Sequence, residues 1–148
     1  MFWGIACLKT WSKTQPTIAL SSGESELAAV VRGAAELLGM QSVCKDFGIS
    51  PRLALRSDST AAIGIAGREG LGKVRHLATA DLWIQQRIRR GEFTITKWPG
   101  QDNPADLCTK GLAPEAVRRH FAAMGFQVVA GRAASALALK QGAGRTTA

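Results

Sequence analysis

The chain predicts an α/β layer fold, and two kinds of pattern predict it. "RLALRSDS" (52–59) and "EFTITKW" (92–98) alternate apolar and polar residues, as strands with one buried face do. Each is flanked by segments whose apolar residues recur at helical spacing, and strand, helix, strand, helix, strand, helix along one chain is the order of a layered α/β domain.

The elements follow in turn. Residues 1–13 read as the end of one strand, a turn near Trp3-Gly4 and a second strand through Leu8 to Trp11, so the chain is expected to open in mid-sheet. "TIALSSGESELAAVV" (17–31) then starts a helix. Ser21 caps it and Glu24, three residues on, completes a capping box, because both satisfy backbone N–H groups that lack an intrahelical partner. The apolar stripe Leu27, Val30, Val31, Ala34 and Leu38 carries this helix to about Met40 and on toward Phe47, with Gly48 and Pro51 as stops. After the strand "RLALRSDS", a short helix "STAAIGIA" (59–66) leads into the glycine-rich basic loop "GREGLGKVRH" (67–76). Leu77, Ala80, Ile84 and Ile88 predict a helix over 74–90, ended by Gly91. Beyond the strand "EFTITKW", Pro99-Gly100 turns the chain, Asp102 or Asn103 caps, and Pro104 suits a first helical position, which places Asp106 in a first turn. A last helix spans Pro114 to Met124, closed by Gly125. Residues 1–125 thus form one domain. The segment 126–148 is rich in alanine and glycine and reads as a flexible tail.

With 148 residues, 46% of them apolar, the chain has material for one ordinary core. Nineteen Lys and Arg against eleven Asp and Glu give a net charge of +8, which favours a polyanionic partner, nucleic acid first. Cys7, Cys44 and Cys108 are odd in number and lack metal-ligand spacing, so they read as free thiols in a reducing compartment. No run is apolar enough to predict a bilayer span, and "MFWGIACLK" lacks the basic start of a secretory signal. An intracellular site without a membrane partner is expected, with cytoplasm and nucleus not distinguished.

Three carboxylates stand out. Glu26 lies one position from Leu27 at the head of the apolar stripe, Asp58 ends a strand, and Asp106 begins a helix after the last strand. They are 32 and 48 residues apart, so only the fold could assemble them. Converging carboxylates repel unless protonated or bound to a cation, and hard oxygen ligands favour Mg²⁺ or Mn²⁺. Each also has a plainer reading: Glu26 as a solvated helix charge, Asp58 as a helix cap, Asp106 as a partner of the helix dipole.

Taken in order, "KTWSKTQPTIALSSGESEL", "RSDSTAAIGIA" and "GKVRHLATADLWIQQRIRRGEFTITKWPGQDNPADLCTKGL" resemble the ribonuclease H domain at the end of copia-type (LTR) retrotransposon Pol polyproteins, over about residues 1–112. The resemblance implies a ribonuclease H-like mixed sheet with flanking helices. It also implies hydrolysis of the RNA strand of RNA–DNA hybrids with two divalent ions, beside the reverse transcriptase portion of the same polyprotein. It places the family's metal ligands on Glu26, Asp58 and Asp106. The fourth acidic residue sits, in the family, on a first central strand that this chain lacks together with most of the second; residues 1–23 contain no Asp or Glu. Because a carboxylate bridge holds two such ions about 3.5–4 Å apart, its loss would weaken both water activation and leaving-group stabilisation.

Lys73, Arg75 and His76 match the family's basic helix start and are candidates for phosphate contact, against the plainer reading of a solvated helix end. From Arg68 to Arg90 six Lys and Arg face only Glu69 and Asp81, a surface that could follow a hybrid backbone. Other motifs fail on chemistry. "GREGLGKV" approaches a phosphate-binding loop, but Val74 supplies no hydroxyl for Mg²⁺ and the loop follows a helix. "SDST" lacks the glycine of an aspartic-protease triplet. Trp3, Trp11, Trp83 and Trp98 are expected mostly in the core, and Cys44 and Cys108 as inert helix residues. The rival function is a non-catalytic nucleic-acid-binding remnant of the same domain; an integrase core fits less well, given the early helix glutamate and the "NPADLCTK" ending.

Overall fold

Helix α1 (Ser22–Asp46) forms where the sequence places its cap: Ser21 is extended, and its Oγ accepts from the Glu24 backbone N–H at 3.3 Å. Glu24 reaches back over the cap, accepting from Leu20 N–H at 2.9 Å and from the Ser21 hydroxyl at 3.1 Å. At the far end Gly48 takes a positive φ of 74°, so that Gly48 N–H and Ile49 N–H close onto the Lys45 and Cys44 carbonyls. The computed structural model describes residues 1–16, 18–70, 72, 82–127 and 129–131.

The architecture is mixed α/β with two small sheets. An N-terminal antiparallel hairpin pairs β1 (Phe2–Trp3) with β2 (Ala6–Cys7) around Gly4. The expected second strand over Leu8 to Trp11 is not formed. Its polar continuation "KTWSKTQ" offers no alternating face, and Leu8 and Lys9 N–H instead return to the Met1 carbonyl. The second sheet joins β3 (Leu53–Ser57) and β4 (Phe93–Lys97) in parallel, in register from Leu53↔Phe93 to Ser57↔Lys97. Between them run α2 (Thr60–Gly67) and α3 (Trp83–Arg89). Among the described residues the other edge of β3 has no strand partner, so the larger mixed sheet is not completed by the hairpin.

One face of the β3–β4 pair carries the core. Leu55 and Phe93 pack with Leu27, Val30 and Ala34 of α1, Ala62, Ile65 and Ala66 of α2, and Ile84 of α3. Gly33 allows α1 to approach the sheet, since a Cβ there would lie 3.3 Å from Leu55 Cδ1. The opposite face, with Ala54, Arg56, Thr94 and Thr96, is exposed. Parallel strands are normally covered on both faces, which makes this open face unusual.

Gln85, buried at 3% exposure, ties α3 to the start of the glycine-rich loop. Its side chain donates to the Ile65 and Gly70 carbonyls and accepts from Gly70 N–H at 2.9 Å. After β4 come a 3-10 turn (Gly100–Asp102), a 3-10 helix (Pro104–Cys108) and α4 (Pro114–Ala123), whose His120 and the following Met124 are buried. The expected helix start over 74–81 and residues 132–148 of the expected tail lie outside the described residues.

Two expectations about apolar residues are corrected. Only Trp83 packs against the core; Trp3 is 45% and Trp11 37% exposed, because the hairpin and the segment after it have no layer above them. By length and composition α1 is also apolar enough to cross a bilayer, which its interrupted charges concealed. In the fold it packs against α2 and β3, as the core helix of the domain.

Candidate functional site

Asp58 stands at the carboxyl end of β3, where parallel sheets gather their sites. The structure removes its plainer reading as a cap. Ser59 caps α2, its Oγ accepting from Ala62 N–H at 3.2 Å, while buried Ser57 accepts from Ser59 N–H at 3.1 Å. The Asp58 side chain is therefore left half-buried without a structural duty in the helix. Trp98 N–H extends the ladder to the Ser57 carbonyl at 2.8 Å, and the Lys97 ammonium donates to the Asp58 backbone oxygen. The loop after β4 then passes beside the carboxylate: a Cβ at Gly100 would lie 3.4 Å from Asp58 Oδ2, in ordinary contact with it.

Asp106 is placed by a local device. Asn103 caps the 3-10 helix, its Oδ1 accepting from Ala105 N–H at 3.2 Å, and Pro104 fills the first position. Asp106 follows in the first turn, with its side chain only 15% exposed, and accepts from the Lys110 ammonium at 3.0 Å. Sequence reading expected an ordinary helix here; the tighter 3-10 form spans only Pro104–Cys108 before Thr109 and Gly111 end it. Glu26 lies in the second turn of α1, exposed, between Gly23, whose Cβ would meet Ala61 Cβ at 3.1 Å, and buried Val30. It follows Gly23, which lies close to Ala61 of α2, by one turn, and its side chain stays open to solvent.

Asp106 holds the Lys110 ammonium directly, and the charges of Asp58 and Glu26 reach it more weakly. The Lys110 pKa is raised above its ordinary value, first by its hydrogen bond to Asp106 and the charge of that carboxylate, then by the charges of Asp58 and Glu26. Residues 32 and 48 positions apart thus act on the same ammonium group. A lysine pKa raised in the fold contributes stability below its unfolded value, and that contribution disappears only as the pH climbs through the raised value. It is therefore fully present at neutral pH. Lys110 is itself 56% exposed, so water screens the pair and its contribution is small.

The donor chemistry fits a hard divalent cation: three carboxylates, two of them partly withdrawn from solvent, around a site of positive charge. Their side chains are not drawn together. Among the described residues no three His, Cys, Asp or Glu side chains stand close enough to form a ready metal cluster. A cavity of about 590 Å³, bordered by Gln41, Lys45, Arg52 and Phe93, lies at the opposite end of the sheet. Lys73, Arg75 and His76 lie outside the described residues.

Sequence reading passed over four residues at this end of the fold. Lys110 was visible as the i+4 partner of Asp106. Gly100, Arg56 and Trp98 had no local signal, because their roles come from the register of β3 against β4. Arg56 lies over the Trp98 ring at 4.1 Å. Comparison with family models, with curated proteins and with solved structures gives no match.

Proposed function

We propose that this chain is a ribonuclease H-type nuclease domain of a copia-type retrotransposon polyprotein, acting on the RNA strand of RNA–DNA hybrids beside its reverse transcriptase. The observation that carries the reading is that Asp106 pairs with the Lys110 ammonium at 3.0 Å while the charges of Asp58, at a strand end, and Glu26, on a helix, also reach that ammonium. The parallel β3–β4 pair with α1, α2 and α3 on one face agrees with part of a ribonuclease H-like sheet, whose first strand would occupy the unpaired edge of β3. The net charge of +8 fits a nucleic-acid substrate.

In this reading Glu26, Asp58 and Asp106 hold Mg²⁺ or Mn²⁺. Two such ions would supply an activated water and stabilisation of the leaving oxygen for cutting the phosphodiester to a 3′-hydroxyl and a 5′-phosphate. The chain's own part is to place the carboxylates. Asp58 is positioned by the end of β3 and the close loop at Gly100, and Asp106 by its Asn103-Pro104 cap. Lys110 keeps their mutual repulsion low before ions bind.

A competing role for Lys110 follows. An ammonium and a divalent ion cannot both take the Asp106 oxygen pair, so Lys110→Gln should increase the thermal stabilisation that Mg²⁺ or Mn²⁺ confers, while slightly lowering the melting temperature without metal. Equal responses in both proteins would separate Lys110 from the metal site.

The wide setting of the carboxylates favours a second reading, a nucleic-acid-binding remnant that no longer cuts. The two are separated with end-labelled RNA–DNA hybrid and Mg²⁺, using this chain and a version extended upstream of Met1 by its genomic reading frame. RNA-strand cleavage by either protein supports the nuclease. Binding by both without cleavage supports the remnant.

A further inference from the structure

We propose that Arg56, held over the Trp98 ring on the open face of the β3–β4 sheet, is a phosphate contact for the nucleic-acid strand that enters the carboxylate site. The proposal rests on the nucleic-acid reading above and adds a contact made without metal.

The geometry begins with the strand register. Arg56 pairs with Thr96, and Trp98 follows two residues later on the same face. Trp98 is anchored at its edge, Nε1–H donating to the Asp102 carbonyl at 3.1 Å, and the guanidinium of Arg56 lies 4.1 Å from the ring centroid. An arginine held over an indole by a cation–π contact loses part of its rotamer freedom while its five N–H donors stay free in the guanidinium plane. Among the described residues Arg56 has no carboxylate or carbonyl partner, although it is exposed. By contrast Arg32, Arg87, Arg89 and Arg118 are each paired with a glutamate.

The surroundings select a strand of polyanion as occupant. Ala54, Thr94 and Thr96 make the rest of this face small and exposed, leaving room for an extended ligand, and none of them carries negative charge. Trp98 leads directly into the loop whose Gly100 abuts Asp58, so a strand lying on Arg56 is led to the carboxylates. A phosphate diester matches the planar donors of Arg56 in charge and shape. The indole face is already occupied by the arginine, so the contact reads backbone, not base.

The test is equilibrium binding of the full chain to a fluorescent RNA–DNA hybrid in EDTA, over a series of salt concentrations. Arg56→Gln is expected to weaken binding roughly tenfold and to lower the salt slope by about one phosphate equivalent. Arg56→Lys, which keeps the charge but not the guanidinium plane, should keep the slope and lose less affinity. Because Arg56 is exposed, both variants should fold, which circular dichroism checks. If the native chain binds and Arg56→Gln matches it in affinity and slope, this contact is wrong while the nucleic-acid reading stands. If the native chain binds no hybrid at any salt concentration, both fail.

Discussion

In the nuclease proposed above, Asp58→Asn is expected to abolish cleavage of the RNA strand while leaving the fold intact. The first half follows from charge: asparagine keeps the shape but supplies a neutral oxygen where a divalent ion needs an anionic one. Loss of a single group that stabilises developing charge slows reactions by about 10²–10³-fold, and loss of an anionic metal ligand should cost at least that. The second half follows from the local structure. Ser59, not Asp58, caps α2, and Lys97 donates to the backbone oxygen of residue 58, which asparagine retains. Thermal unfolding should therefore stay within about 0.5 kcal/mol of the parent, as for a surface change with no structural duty. Full activity in the variant would remove Asp58 from the chemistry. Loss of the fold would mean that its duty is structural.

Phe93→Ala should be the most damaging core change. Phe93 is 2% exposed at the start of β4 and packs in the one cluster that joins α1, α2, α3 and both strands of the parallel sheet. Removing such a ring costs about 3–5 kcal/mol, partly for the cavity left behind. Native stability is only about 5–15 kcal/mol, and here a two-stranded sheet with an unpaired edge carries the core, so the variant should be largely unfolded at 37 °C. Denaturant titration followed by circular dichroism measures this. A loss below about 1 kcal/mol would show that the cluster is not the centre of the fold.

Local chemistry made much of the fold legible. Ser21 and Glu24 announced the start of α1, Gly48 its end, and Asp102 or Asn103 with Pro104 a helical start before Asp106, which the fold realises as a 3-10 helix capped by Asn103; each start depends on residues within one turn. The strands β3 and β4 were visible as alternation. Their parallel pairing, its register and the open face were not, because these depend on contacts about 40 residues apart. The hairpin was expected to run to Trp11 because its apolar residues resemble a strand, but a two-stranded hairpin without a covering layer leaves Trp3 and Trp11 in water. The carboxylates were legible as residue types and positions. The reach of all three charges to Lys110 was not, since spacings of 32 and 48 residues do not encode where these elements lie in the fold.

The most direct measurement is Mn²⁺ soaking of crystals of the chain, with the ion located by its anomalous scattering. The account predicts a peak enclosed by the carboxylates of Asp58, Asp106 and Glu26, with the Lys110 side chain turned away from Asp106. Manganese elsewhere, or none, with the Lys110 to Asp106 ion pair intact, would contradict a metal site built from these three residues.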